Sequence, residues 1–142
     1  MRIYLNTSFL ISLYSPDVNS SAAAEAVAAA NHVHLVSTLT ELEALNALDL
    51  RVFRKEISAG QAKSSSRDFE QDLSRRVFQL VRLPDAAFSR ARQISREMTA
   101  RLGTRSADVL HVAAAVELQA ERLYSFDHQQ RKLARAHRLK VN

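Results

Sequence analysis

The 142-residue chain contains no cysteine, which excludes disulfides and thiolate metal sites and fits a reducing compartment. It has only two glycines and two prolines, which predicts long helices joined by short loops. No stretch approaches the ~20 consecutive apolar residues that cross a bilayer. The apolar start, MRIYLNTSFLISLY, is interrupted by Asn6, Thr7 and Ser8 and is followed by no small-residue cleavage site. No signal peptide or membrane partner is expected, and a cytoplasmic location is. G-x-S-x-G, P-loop and G-x-G-x-x-G motifs are missing, which argues against a serine hydrolase, a P-loop nucleotidase and a dehydrogenase. The histidines (His32, His34, His111, His128, His137) form no ligand pair at i,i+3 or i,i+4, and read as surface or satisfied core residues.

What is present begins with charge. The net charge is +5 and the sequence pI about 10.1, with arginine the main cation. The guanidinium fork suits phosphate better than a lysine point charge does, so nucleic acid is the leading partner class and an acidic protein the next. Many soluble proteins are mildly basic, so charge alone decides nothing. The length suits one domain with a single core.

In chain order, Arg2–Leu5 reads as a buried strand and Thr7–Tyr14 as a helix stopped before Pro16. Ser20 or Ser21 caps an alanine-rich helix over Ala22–Ala30, and Val33–Ser37 is a second strand. Leu42, Leu45, Leu48 and Val52 give helical spacing to Thr38–Lys55, and a further helix starts at Ser58 or Gly60. Val77–Leu83 is a third strand. Pro84 and Asp85 open a helix with Phe88, Ala91, Ile94, Met98 and Leu102 on one apolar stripe, ended by a left-handed Gly103. Ser106 caps the apolar helix Ala107–Leu118, Arg122–Phe126 is a fourth strand, Asp127–Ala136 a basic helix, and Leu139–Val141 a fifth strand. Strands separated by helices predict a parallel sheet covered on both faces.

Four positions carry the candidate chemistry. Asp108 opens an apolar helix, and Asp127 lies just past a strand; acids so placed in an α/β sheet assemble divalent-metal sites. Each also has a purely structural reading. Asp108 complements a helix dipole, and Asp127 with Gln130 makes a capping box. Glu43 lies one turn inside its helix beside Asn46; Thr38 with Glu41, or Thr40 with Glu43, completes a box there. Asn6 ends the first strand where a metal site wants a carboxylate. It is a good N-cap, and its amide oxygen is a ligand without charge.

Together these segments resemble the PIN domain family, and within it the VapC-type toxin ribonucleases of bacterial toxin–antitoxin pairs. IYLNTSFLISLY is similar to the strand-one motif ending in Asp-Thr/Ser, TLTELEALNAL to the helix with the second acid, and LGTRSADVLHVAAA and LYSFDHQQRKLA to the segments with the third and fourth. The resemblance covers essentially the whole chain, residues 1–142. It implies a three-layer α/β/α sandwich with a short, mainly parallel sheet of four to five strands. It places Glu43, Asp108 and Asp127 at three family acids and Asn6 at the first, with Thr104 and Ser106 at nearby hydroxyl positions. It further implies a Mg²⁺- or Mn²⁺-dependent endoribonuclease leaving 5′-phosphate and 3′-hydroxyl ends. Such an enzyme is usually a homodimer, neutralised by a cognate antitoxin that reaches into the acidic pocket. Arg105 and Arg131 are the first candidates for holding the RNA backbone.

Asn6 removes one negative ligand, so the chain is expected to fold normally and cleave poorly, whether the residue is engineered or natural. Two other functions compete with a nuclease. One is a non-catalytic RNA- or protein-binding module on the same scaffold, which the basic charge and Asn6 permit. The other is a structural adaptor in which every acid is a cap.

Overall fold

A computed structural model describes residues 1–29 and 31–142. Five parallel strands form one sheet in the order β3–β2–β1–β4–β5, with β1 Arg2–Leu5, β2 Val33–Ser37, β3 Gln79–Val81, β4 Arg122–Tyr124 and β5 Lys140–Val141. The chain builds outward from β1 first to one side (β2, β3) and then to the other (β4, β5). The carboxyl ends of β1 and β4 therefore flank the switch point, where α/β sheets place their ligands.

Successive strand residues face opposite ways, so each of the strands β1, β2 and β4 feeds two cores. Ile3, Leu5, Val36 and Tyr124 pack on helices α1 Thr7–Tyr14, α2 Ser20–Ala28, α3 Thr38–Phe53 and α4 Ala59–Ser74. Tyr4, Leu35 and Leu123 pack on α5 Asp85–Ile94, α7 Ser106–Glu117 and α8 His128–Ala136. These are the outer layers of the expected sandwich. Phe9 is fully buried against Tyr124 at 5.2 Å and Phe126 at 5.3 Å, which clamps α1 over the end of β4. Truncating such a side chain to alanine costs about 3–5 kcal/mol.

The element boundaries depart from expectation mostly at helix ends. The third strand is shorter than Val77–Leu83, α3 ends at Phe53 and the fourth strand stops at Tyr124. The alanine-rich helix starts at Ser20, and its expected last residue, Ala30, lies outside the described residues. Ser58, not Gly60, caps α4, in a full capping box with Gln61. Arg105 rather than Ser106 is the N-cap of α7, and Ser106 is its first helical residue. Helix α5 continues through a π-helical segment, Ser95–Thr99, into a final turn, α6 Ala100–Leu102. Phe88 is 54% exposed, so the apolar stripe is only partly covered.

Gly103 ends α6 at φ 66°, as the sequence predicts. Lys55, Arg76, Gln119 and Arg138 also take left-handed φ, each just past a helix. At each one a paired hydrogen-bond motif closes the helix, as in Gln119 N–H to the Val116 carbonyl (3.0 Å) and Ala120 N–H to Ala115 (2.9 Å). A chain so poor in glycine stops its helices with ordinary residues, at a cost of about 1–2 kcal/mol each.

Candidate active site

Asn6 follows β1 directly, and its backbone N–H continues the sheet to the Tyr124 carbonyl at 3.1 Å. It caps α1: its Oδ1 accepts from Phe9 N–H (3.2 Å) and from the Ser8 hydroxyl (2.7 Å). Its Nδ2 donates to Gln130 Oε1, and both side chains are buried. The amide oxygen is thus occupied by the cap, and the nitrogen by a residue of α8.

Glu43 reaches the same place from α3. Its Oε1 accepts from the Thr7 hydroxyl at 3.0 Å and pairs with His111 Nε2. Burial pushes this carboxyl up, but the hydrogen bond and charge of His111, aided by Thr7, outweigh it and hold it below the usual glutamate range. His111 is 2% exposed, and its Nδ1 lies 2.8 Å from the Tyr4 hydroxyl. Tyr4 is fully buried, and its pKa is pushed up to about 12, chiefly by that burial. Ser37 lies 2.7 Å from the phenol, and Thr40 bridges from Ser37 to the Leu5 carbonyl.

Asp108 sits in the first turn of α7 and accepts weakly from Arg105 N–H at 3.4 Å. Its carboxyl is raised above the ordinary range, first by burial and then by the negative charge of Asp127. Asp127 is the N-cap of α8, with Oδ1 accepting from Gln130 N–H at 2.8 Å. Only half of the expected capping box forms. The Gln130 side chain turns to Asn6 and to the Asp108 carbonyl (3.5 Å), and Asp127 N–H is taken by the Ser125 hydroxyl at 3.0 Å.

A cavity of about 650 Å³ joins these groups: Asn6, Glu43, Asp108 and Asp127 all line it, and it runs on past Arg51 and Arg54 to Asp17. All four residues singled out from the sequence therefore meet. Of the three positions near the third acid, only Arg105 lines this cavity. Thr104 is buried against Thr99, and Ser106 opens onto a separate groove. Arg131 is directed to the Asn142 carbonyl and not to the cavity. Sequence reasoning missed Tyr4 and Gln130 as contributors. It left His111 among the satisfied core residues, which it is, without seeing that its partner is a site acid.

Among the described residues, no three His, Cys, Asp or Glu side chains are gathered closely enough to grip an ion as they stand. The donor set is nevertheless all oxygen, which suits Mg²⁺ or Mn²⁺. The repulsion that raises Asp108 is the kind a cation between Asp108 and Asp127 relieves. The residues fit such an ion at these two acids, with Glu43 beside them. Asn6 does not fit as a ligand while its oxygen caps α1.

A switch-point cavity with one acid from a strand–helix junction and two from neighbouring helices is the arrangement of an α/β protein of the PIN type. Residues 3–136 match the family described as PIN domain, and the chain belongs to that family. Comparison with curated proteins finds no match. Among solved structures it is similar to VapC20 of Mycobacterium tuberculosis, described as a sarcin–ricin loop cleaving toxin, at 17% identity and TM-score 0.71 over 92% of this chain and 93% of that one. It is also similar to VapBC2 of Rickettsia felis, bound to a DNA fragment from its promoter (17% identity, TM-score 0.69, 100% and 98% covered). A third is VapBC-1 of nontypeable Haemophilus influenzae (14%, 0.68, 100% and 97%). At these identities the likeness is one of fold.

Proposed function

We propose that this chain is a single-domain, VapC-type toxin: a Mg²⁺- or Mn²⁺-dependent endoribonuclease attenuated by Asn6 and restrained by a cognate antitoxin. The observation that carries the reading is the Asp108–Asp127 pair, two carboxylates that line one cavity at the sheet's switch point, near enough for the charge of Asp127 to help raise Asp108. Asp108, Asp127 and Glu43 would hold the cation, which would supply charge neutralisation for the phosphate and acidify a water. Arg105, at the cavity wall, holds an RNA phosphate and positions the strand without reading its sequence. Solved structures of similar fold include toxin–antitoxin complexes, which supports an antitoxin partner. Exposed Leu50 lines the cavity, and exposed Val18 and Phe53 are chain neighbours of its lining residues Asp17, Asn19 and Arg54; these apolar side chains suit an apolar antitoxin segment. A second groove, of about 470 Å³ beside Leu39, Phe88 and Leu110, suits a homodimer contact. No helix among the described residues is long and apolar enough to cross a membrane, and a cytoplasmic site of action suits an RNA substrate.

A second reading, a non-catalytic RNA- or protein-binding module, draws on one observation: Asn6 and Gln130 satisfy each other without any ion. Comparing RNA cleavage by the chain and by Asn6→Asp, with Mn²⁺ and with chelator, separates the two. Cleavage by Asn6→Asp alone, stopped by chelator, supports the attenuated nuclease. No cleavage by either, together with metal-independent RNA binding, supports the binding module.

A further inference from the structure

We infer that His111 is a positioning residue that aims Glu43 into the cavity, and that Tyr4 sets the orientation of the imidazole. The inference rests on the metal-site reading above and adds residues to it. A carboxylate only accepts, so the hydrogen between the pair is on His111 Nε2. The other ring nitrogen, Nδ1, lies 2.8 Å from the Tyr4 hydroxyl, which can accept from or donate to it, so this contact holds the ring plane in either protonation state. The Tyr4 hydroxyl also pairs with the Ser37 hydroxyl at 2.7 Å, and the Thr40 hydroxyl donates to the Leu5 carbonyl at 3.2 Å. Every polar group in this chain of contacts is paired, which is what a buried network needs in order to hold one geometry.

The chain ends on Glu43 with an asymmetry. Among the described residues both donors to Glu43, Thr7 and His111, go to Oε1, and none goes to Oε2. One oxygen is anchored and the other is left for the cavity. His111 lies one turn after Asp108 on α7, so one helix carries a site acid and also the group that holds the acid from α3. Orienting partners of this kind typically change metal affinity by about 10–100-fold when lost.

The test is Mn²⁺ binding to the full chain, read by electron paramagnetic resonance at fixed pH, with thermal unfolding measured on the same samples. His111→Leu is expected to weaken Mn²⁺ binding by about 10-fold or more. His111→Gln, whose amide N–H can reach Glu43, is expected to restore affinity to within a few-fold. Tyr4→Phe leaves the ring in place but frees it, and is expected to fall between them. A merely structural role predicts lower melting temperatures with unchanged Mn²⁺ affinity, and that outcome overturns the inference. If His111→Leu does not fold, unchanged affinity in Tyr4→Phe overturns it by itself. If Asp108→Asn also leaves Mn²⁺ binding intact, the metal-site reading fails. Loss with Asp108→Asn but not with His111→Leu or Tyr4→Phe sinks the positioning role alone.

Discussion

The two walls of the cavity are in opposite electrostatic condition. On the β1–α3 wall, the Asn6 amide and Glu43 Oε1 are engaged by Phe9, Ser8, Gln130, Thr7 and His111, and the Glu43 carboxyl sits below its ordinary range. On the α7–α8 wall, Asp108 and Asp127 line the cavity together with few donors, and Asp108 is raised, first by burial and then by the charge of Asp127. The first wall is satisfied by protein partners except at Glu43 Oε2; the repulsion on the second is relieved by a proton or a cation. A carboxylate at position 6 would bring the first wall into the same need. The amide instead pairs with Gln130 without any ion.

The most severe way to break this contrast is to remove the strained wall. In an Asn6→Asp background, Asp108→Ala should lower RNA cleavage by at least about 100-fold, the scale expected when a reacting phosphate loses its positioning. RNA binding, measured separately by fluorescence anisotropy, should change little, since Arg105 is retained. Full cleavage in the double variant would mean that α7 carries no part of the site.

Adding an ion should have the next largest effect. An ion that binds only the folded chain stabilises it by about 2.7 kcal/mol at a hundredfold excess over its dissociation constant. The melting temperature of Asn6→Asp should therefore rise with Mn²⁺ at lower concentration than that of the parent chain. Equal titration midpoints would show that position 6 does not contribute to binding.

Breaking the satisfied wall is a smaller matter. Gln130→Leu leaves the buried Asn6 amide nitrogen without its acceptor, which should cost about 1–3 kcal/mol in denaturant unfolding. Asp127 would still cap α8, since that bond uses the backbone of residue 130. A loss below about 0.5 kcal/mol would show that the nitrogen finds another partner.

These contrasts explain which parts of the site were legible in the sequence. Asp108 and Asp127 could be read because each sits beside a local signal, a helix start or a strand end. Strand existence was likewise visible in short apolar runs such as IYL and HLVS. The satisfied wall was not legible, because its partners are remote in sequence: Glu43 with His111, Tyr4 with His111, and Asn6 with Gln130. Gln130 misled most, since its spacing from Asp127 suggested a local box while its side chain was needed elsewhere. The helix ends failed for a different reason. Left-handed terminators at Lys55, Arg76, Gln119 and Arg138 carry no glycine to announce them.

The smallest expected effect sharpens the contrast through pH. Asp108 has a raised carboxyl pKa in the folded chain, so its charged form opposes folding. In metal-free solution Asp108→Asn should be more stable than the parent at neutral pH, by about 1 kcal/mol or less once solvent screening is allowed for. The direction with pH follows from which state loses its proton first. As pH rises through the ordinary aspartate value the unfolded chain ionises before the folded one, so the parent loses stability relative to Asp108→Asn. The loss is complete once pH passes the raised folded value, and it vanishes below the unfolded one. Asp127→Asn keeps the α8 cap, because asparagine caps as well as aspartate, and removes the neighbouring charge that helps raise Asp108. In that background the benefit of Asp108→Asn should shrink. A benefit that stayed the same would assign the raised carboxyl to burial alone, and the acidic pair would no longer be the reason this wall calls for an ion.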